Sequence, residues 1–474
     1  MSTPPTSEPP GNTTPTLPVL VPPPVTPPSV FYTVLSNISQ QTILSSSASP
    51  PTLSLSPFDV LNRGRAIPML YFYSTIFDIP KLLKSLSFGL DRYRVLEGRY
   101  VDVKTVVMGG GGVSVEIVED SLLNLSDCTD HLSSSYTYLA SKPQPLLPDP
   151  TGIDPDTCNP DAPLCKIKIT HFKIGGSCLG IRIQHGVVDG EGMTTFINYW
   201  SSQYCKITES EISKCSESRV LESWITNTDS TPPVEPEGFK MHVFPSNETG
   251  PPPEFMGVMP KIAGKSCVIL PFNSTSLTSL KENHGKVEKK GDFVSTNDIL
   301  TALIWKSLVK LRISQLGTEI ISPSKTTSLL RAFNFRHMFG IEDSIANNVF
   351  SIRSEVTVEY ILTCTLTELS LLLRSDLQKN TKESTSRLAT FYNYQVQGGK
   401  KMRPVFDGEG LSFVVSDWRF PWKEAVFESQ PCNYDHAAIT PIVCTIISDG
   451  EGGNNVYHGE TNDVEVFVKG MGEF

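Results

Sequence analysis

His185 and Asp189, four residues apart, are the side chains in this sequence whose types and spacing best suit proton transfer. They close the stretch Ser177-Cys178-Leu179-Gly180-Ile181-Arg182-Ile183-Gln184-His185-Gly186-Val187-Val188-Asp189-Gly190. An imidazole titrates near ~6.5, so at neutral pH it is mostly free to accept a proton as a general base. Asp189, in a turn flanked by Gly186 and Gly190, reads as an orienting group rather than a second proton carrier. The competing reading is a core histidine beside an unrelated turn aspartate. Context weighs for the first. Leu179, Ile181, Ile183 and His185 share one parity, so a strand presents all four on one face. Gly175-Gly176 suits a tight hairpin to a preceding strand carrying Ile167 and Ile169. Downstream, Met193, Phe196, Ile197 and Trp200 follow the i, i+3, i+4, i+7 rule of an amphipathic helix. The histidine therefore falls at a strand–turn–helix joint, where a side chain is held firmly and still reaches a cavity.

A chain of 474 residues is long enough for two cores. Its formal charge of −10 argues against a nucleic-acid partner. The 10 cysteines are scattered with no CxxC pair, so no metal site is expected and the thiols read as reduced. No secretory leader and no run long enough to span a bilayer is legible. The expectation is a cytoplasmic protein with no transmembrane segment, and a monomer.

Residues 1–48 are rich in Pro, Ser and Thr and read as disordered, with 30–35 as a candidate strand. Two α/β units follow at 49–225 and 263–474, joined by a Pro-rich crossover at 226–262. In the first, Met69–Tyr73 reads as a buried strand. Ile79–Tyr93 reads as a helix with Leu82, Leu83, Leu86, Leu90 and Tyr93 on one face. Val101–Val107 and Val113–Val118 read as strands joined by the glycine run Gly109–Gly112. No helix with Lys and Ser or Thr follows that run, so it reads as a hairpin loop rather than a phosphate cradle. In the second unit, Ser266–Leu270 reads as a strand, and Ser295 with Asp298 caps a long helix. Arg331–Arg336, Leu411–Val415, Ile442–Ile447 and Val464–Val468 read as strands, and Tyr360–Leu377 as one helix.

The segment "FKIGGSCLGIRIQHGVVDGEGMTTFINYW" (172–200) resembles the HxxxD block of the BAHD acyl-CoA-dependent acyltransferases. Other blocks fall in that family's order. "LSPFD" and "LYFY" resemble its N-terminal strands, and "LKSLSFGLDRYRVLEGRY" (83–100) its first helix. "STNDILTALIWKSLVKLR" (295–312) resembles the helix opening the second domain. "FNFRHMF" (333–339) and "NNVFS" (347–351) resemble its Asn-x-Arg and Gly-Asn segments. One departure stands out: in register with the family's DFGWG signature the chain reads Val426-Phe427-Glu428-Ser429-Gln430, so only the Phe is kept.

The resemblance implies two similar domains with mixed β-sheets and flanking helices, and an active-site channel between them. It implies acyl-CoA as co-substrate, a small-molecule acceptor, and no metal or bound cofactor. The activity implied is transfer of an acyl group to a hydroxyl, less readily an amine, with His185 as base in a ternary complex. Asp189, with Gly190 behind it, is expected to point away from the cavity and pair with Arg336. Ser416 and Trp418 match a Thr/Ser-x-Trp segment near the oxyanion. The altered signature leaves a second reading, a binding or regulatory protein with a lapsed donor site. Peptide condensation domains share HxxxDG, but they carry two adjacent histidines where this chain has Gln184 before His185.

Overall fold

A computed structural model describes residues 35–43, 52–108, 111–129, 136–139, 146–149, 161–206, 232–236, 238–245, 261–287, 293–407, 409–435, 442–461 and 463–472. The strands are β1 (Leu35–Ile43), β2 (Thr52–Ser54), β3 (Ala66–Tyr73), β4 (Arg99–Tyr100), β5 (Thr105–Val107), β6 (Val113–Ser121), β7 (Tyr136–Leu139), β8 (Cys165–His171) and β9 (Ser177–Gln184). They continue as β10 (Met241–Pro245), β11 (Ala263–Phe272), β12 (Thr326–Asn334), β13 (Val349–Thr357), β14 (Lys400–Pro404), β15 (Ser412–Trp418), β16 (Asn433–Asp435), β17 (Val443–Ser448) and β18 (Asn454–Thr461).

Two mixed sheets carry the molecule. The first runs β1-β6-β8-β9-β3-β16 and the second β13-β12-β15-β17-β18-β11-β7. Helices α1 (Pro57–Asn62), α2 (Ile79–Arg92), α3 (Leu125–Thr129) and α4 (Gly190–Lys206) belong to the first half. Leu82, Leu86 and Leu90 of α2 are fully buried, as are Met193, Phe196, Ile197 and Trp200 of α4, and the two helices join one core with the first sheet. A second core forms around the helix Thr296–Leu316, which is buried on most sides. Its Ser295–Asp298 capping box is present. Two strands cross between the halves: β7, from early in the chain, pairs with β11, and β16, from late in it, pairs with β3.

Several local expectations give way. Leu35–Ile43 forms an edge strand paired with β6, so part of the 1–48 segment is ordered; residues 30–34 lie outside the described residues. "LSPFD" is not a strand. Pro57 occupies the first turn of α1 and Ser56 and Asp59 make a capping box, which is what this S-x-x-D pattern encodes. β5 pairs with β2 and β4, and β6 with β1 and β8, so no hairpin spans the glycine run. The helix expected at Tyr360–Leu377 is two, Val358–Thr363 and Leu366–Gln378, because Thr365 with Glu368 caps a new start. Val464–Gly472 is a helix, not a strand: Phe467 and Met471, one turn apart, are buried in the second core, and tertiary packing overrides β propensity. The helix Lys382–Gln397 had no counterpart among the expectations.

Candidate active site

The hairpin at Gly175-Gly176, with φ of 94° and 89°, returns the chain from β8 into β9. β9 delivers His185 just past its end, and α4 begins at Gly190. The His185 amide donates to Arg65 O at 2.8 Å, fixing the turn to the strand that follows α1. Gly192 is required by close approach: a Cβ there would lie 2.1 Å from Ile345 O.

Asp189 does not touch the His185 ring. Its Oδ1 accepts from the Gly192 amide at 2.9 Å, inside the first turn of α4, and from Arg336 Nη2 at 2.7 Å. Its Oδ2 accepts from the Asn348 amide at 3.0 Å. Both members of the Asp189–Arg336 pair are buried, with side chains 3% and 1% exposed. Arg336 opens a short helix after β12, and Nε and Nη2 also donate to Ser344 O and Ala346 O, so this buried guanidinium is amply bonded. Its Nη1 lies 3.8 Å from Glu191. Arg182, the arginine nearest to Asp189 along the chain, donates instead to Pro148 O at 2.9 Å.

A second brace reaches the turn. Asn347 Nδ2 donates to His185 O at 2.6 Å and to Asp59 Oδ1 at 2.9 Å, and the Asn347 amide donates to the same carboxylate oxygen at 3.0 Å. The other Asp59 oxygen caps α1. Asp59 carries a local signal, the capping pattern Ser56-Pro57-Phe58-Asp59, whereas no spacing along the chain marks Asn347 as its partner.

The His185 ring is packed on most sides. Nδ1 is buried without a hydrogen-bond partner, while the residue as a whole is partly exposed. Burial, then the nearby Arg65 charge, push its pKa down to about 4, against smaller upward pulls that include Asp189 and Asn347. The ring is neutral at physiological pH. Cys178 is fully buried, and burial pushes its thiol well above the usual range, so it is no nucleophile.

The Trp418 and Phe420 rings cover Gly190: a Cβ there would lie 3.3 Å from Trp418 Cη2 and 2.9 Å from a Phe420 ring carbon. Trp418 Nε1 donates to Ser416 Oγ at 2.7 Å, so β15 reaches the His185 turn through its tryptophan. From Trp418 to Ser429 the chain runs back along α4 as a strap. Asn198 donates to Pro421 O at 3.1 Å, Ser201 to Glu424 O at 3.2 Å, and Cys205 to Val426 O at 3.6 Å. Phe427 is fully buried among Tyr73, Phe77, Trp200 and Tyr204. Two cavities of about 910 and 960 Å³ lie elsewhere, between the helices Leu366–Gln378 and Lys382–Gln397 and residues 233–240, and none of their lining residues is a site residue.

Two mixed α/β sheets thus flank a histidine whose turn is pinned by a buried carboxylate–guanidinium pair. A family profile described as the Transferase family matches residues 34–435, and the chain belongs to that family, the BAHD acyltransferases. It is therefore an enzyme that uses acyl-CoA as co-substrate. The chain is 25% identical over 404 residues to an acetyl-CoA-benzylalcohol acetyltransferase of Clarkia breweri, covering 79% of this chain and 82% of the relative. It is 26% identical over 294 residues to stemmadenine O-acetyltransferase of Catharanthus roseus, covering 60% and 62%. Among solved structures, vinorine synthase superposes with a TM-score of 0.64 at 18% identity, covering 91% of this chain and 96% of that one. The Fusarium sporotrichioides TRI101 complex with coenzyme A and T-2 gives 0.65 at 16% identity, covering 88% and 96%. No helix among the described residues is long and apolar enough to cross a membrane.

Proposed function

We propose that the chain transfers an acyl group from an acyl-CoA thioester to the hydroxyl of a small-molecule acceptor, with His185 as general base. The observation that carries this is the neutral His185 ring, in a turn held by the Asp189–Arg336 pair, which does not bond the ring. The acceptor oxygen attacks the thioester carbonyl carbon while Nε2 takes its proton. The tetrahedral oxyanion collapses, the C–S bond breaks, and the CoA thiolate takes the proton back from the imidazolium. A ring whose burial disfavours charge is a weak base alone. In the transition state the imidazolium forms beside a developing oxyanion, and that opposite charge offsets the burial. Holding both substrates together supplies much of the remaining rate. Ser416 Oγ already accepts from Trp418, which leaves its own proton to offer a substrate oxygen; we place both residues against the substrates. Asp189, Gly190 and Arg336 are positioning residues.

The hydroxyl preference is supported by relatives named for O-acetyl transfer and for benzyl alcohol. Units at 49–225 and 263–474, a crossover at 226–262, a monomeric state and a cytoplasmic location complete the reading. Its test is His185→Ala, assayed with a panel of acyl-CoA donors and alcohols. Turnover should fall by ~10²-fold or more with the fold intact by circular dichroism. Full activity in that variant on a substrate the parent uses would remove His185 from the chemistry.

A further inference from the structure

The strap that covers α4 ends at a residue in an unusual state. Glu428 has φ 58°, and only one other non-glycine residue among those described, Asp463, has positive φ. That region costs any L-residue with a Cβ, so a side chain retained there is held by its contacts. Glu428 has two such contacts. Tyr204, in the last turns of α4, donates its hydroxyl to the Glu428 carboxylate. Lys81, in the first turn of α2, lies 3.6 Å from the same carboxylate and 4.0 Å from the centre of the Tyr204 ring. Next door, Thr75 and Ser429 share a hydrogen bond at 2.9 Å, and Tyr73 OH donates to Ala425 O at 2.9 Å.

The position of this lock gives it a consequence beyond the loop. Gly190, Asn198, Ser201 and Cys205 lie on one face of α4 and meet the strap in order, from Trp418 and Phe420 through Pro421 and Glu424 to Val426. One end of the strap is thus the Ser416–Trp418 strand end beside the His185 turn, and the other is Glu428. We propose that Glu428 is a positioning residue of the acyl-transfer site: clasped by Tyr204 and Lys81, it holds the strap in register along α4 and so sets Ser416 and Trp418 against the His185 turn. The inference rests on the acyl-transfer reading for its kinetic half only; the structural half stands without it.

The experiment compares Glu428→Ala, Glu428→Gln and Glu428→Gly with the parent and with His185→Ala. Glycine accepts the backbone conformation but loses the clasp; glutamine keeps a hydrogen-bond acceptor for Tyr204 and loses the ion pair. Hydrogen–deuterium exchange over residues 418–429 and 190–206 is read alongside kcat and KM, both per folded enzyme. Expected is faster exchange in both segments for Glu428→Ala and Glu428→Gly. A fall of about tenfold in kcat with a smaller change in KM should accompany it, with Glu428→Gln recovering most of both. Glu428→Gly matching the parent would show that only backbone conformation matters, and would overturn the clasp. Unchanged exchange in all three variants would also overturn it, whether or not any acyl-CoA is turned over. So would faster exchange with unchanged kcat, which is a merely structural role. A fully active His185→Ala would instead remove the acyl-transfer reading and leave the exchange result to decide the clasp.

Discussion

Helix α4 is fastened at both ends by a carboxylate, and the two fastenings differ in the one variable that matters most for charge. At its N-terminus Asp189 meets Arg336 with both side chains almost wholly out of solvent. At its C-terminal end Glu428 meets Lys81 with side chains 38% and 29% exposed. In the buried pair every carboxylate oxygen accepts from a backbone amide and every guanidinium nitrogen donates to an oxygen, because nothing else would compensate the lost hydration. In the exposed pair water competes for both ions, and the geometry is looser. Burial makes the first joint intolerant of change and leaves the second free to be built from whichever residues reach. The altered Val426–Gln430 segment sits at the second.

Breaking the buried end should have the largest effect. Asp189→Ala strands a buried guanidinium and should cost about 3–5 kcal/mol, read as a lowered urea midpoint with activity lost alongside. A stability within experimental error of the parent would mean that the joint does not depend on its charge.

Acid tests the same end without mutation. The folded pKa of His185, about 4, lies below the ordinary histidine value near ~6.5, so the native ring stays neutral where the unfolded one is protonated. Its contribution to stability is complete above pH ~6.5 and is lost as pH falls towards 4. The acid limb of kcat/KM should follow the folded value and fall between about pH 4 and 5. A limb centred at pH 6.5 would show that the ring is not desolvated in the free enzyme.

A smaller loss is expected at the second brace of the His185 turn. Asn347→Ala leaves His185 O and one Asp59 oxygen each short of a partner, and should cost about 1–3 kcal/mol with a measurable drop in kcat. Least of all should come from the exposed end. Lys81→Met removes the Glu428 ion pair but keeps the Tyr204 bond, and should shift stability by about 1 kcal/mol or less, fading with added salt. A loss there as large as for Asp189→Ala would erase the distinction between the ends.

The parts of the site that were legible in the sequence are those written locally. The strand parity ending at His185, the glycine hairpin and the α4 periodicity each sit within a dozen residues, and each is set by one backbone period. Ser295 with Asp298 was likewise readable, because a capping box is a four-residue pattern. The same pattern at Ser56–Asp59 was obscured by the resemblance, which cast that segment as a strand. What was not legible depends on distant packing. No local rule joins Asn347 to Asp59 or aligns Pro421, Glu424 and Val426 with one face of α4. Val464–Val468 is rich in β-branched residues, and only the core awaiting Phe467 and Met471 makes it helical. The approach of Arg336 to Asp189 came from the family pattern, not from spacing along this chain.

The exchange of strands between the sheets bears on how the protein is made. β16, which completes the open side of β3, leaves the ribosome roughly 250 residues after β9, a delay of about 12–50 s at ~5–20 residues per second. During that interval the nascent first sheet has an unpaired backbone edge at Leu70–Phe72, a template for pairing with another chain. The enzyme should therefore depend on chaperones that shelter nascent edges, and truncation before residue 433 should send it to the insoluble fraction rather than yield a free-standing first half.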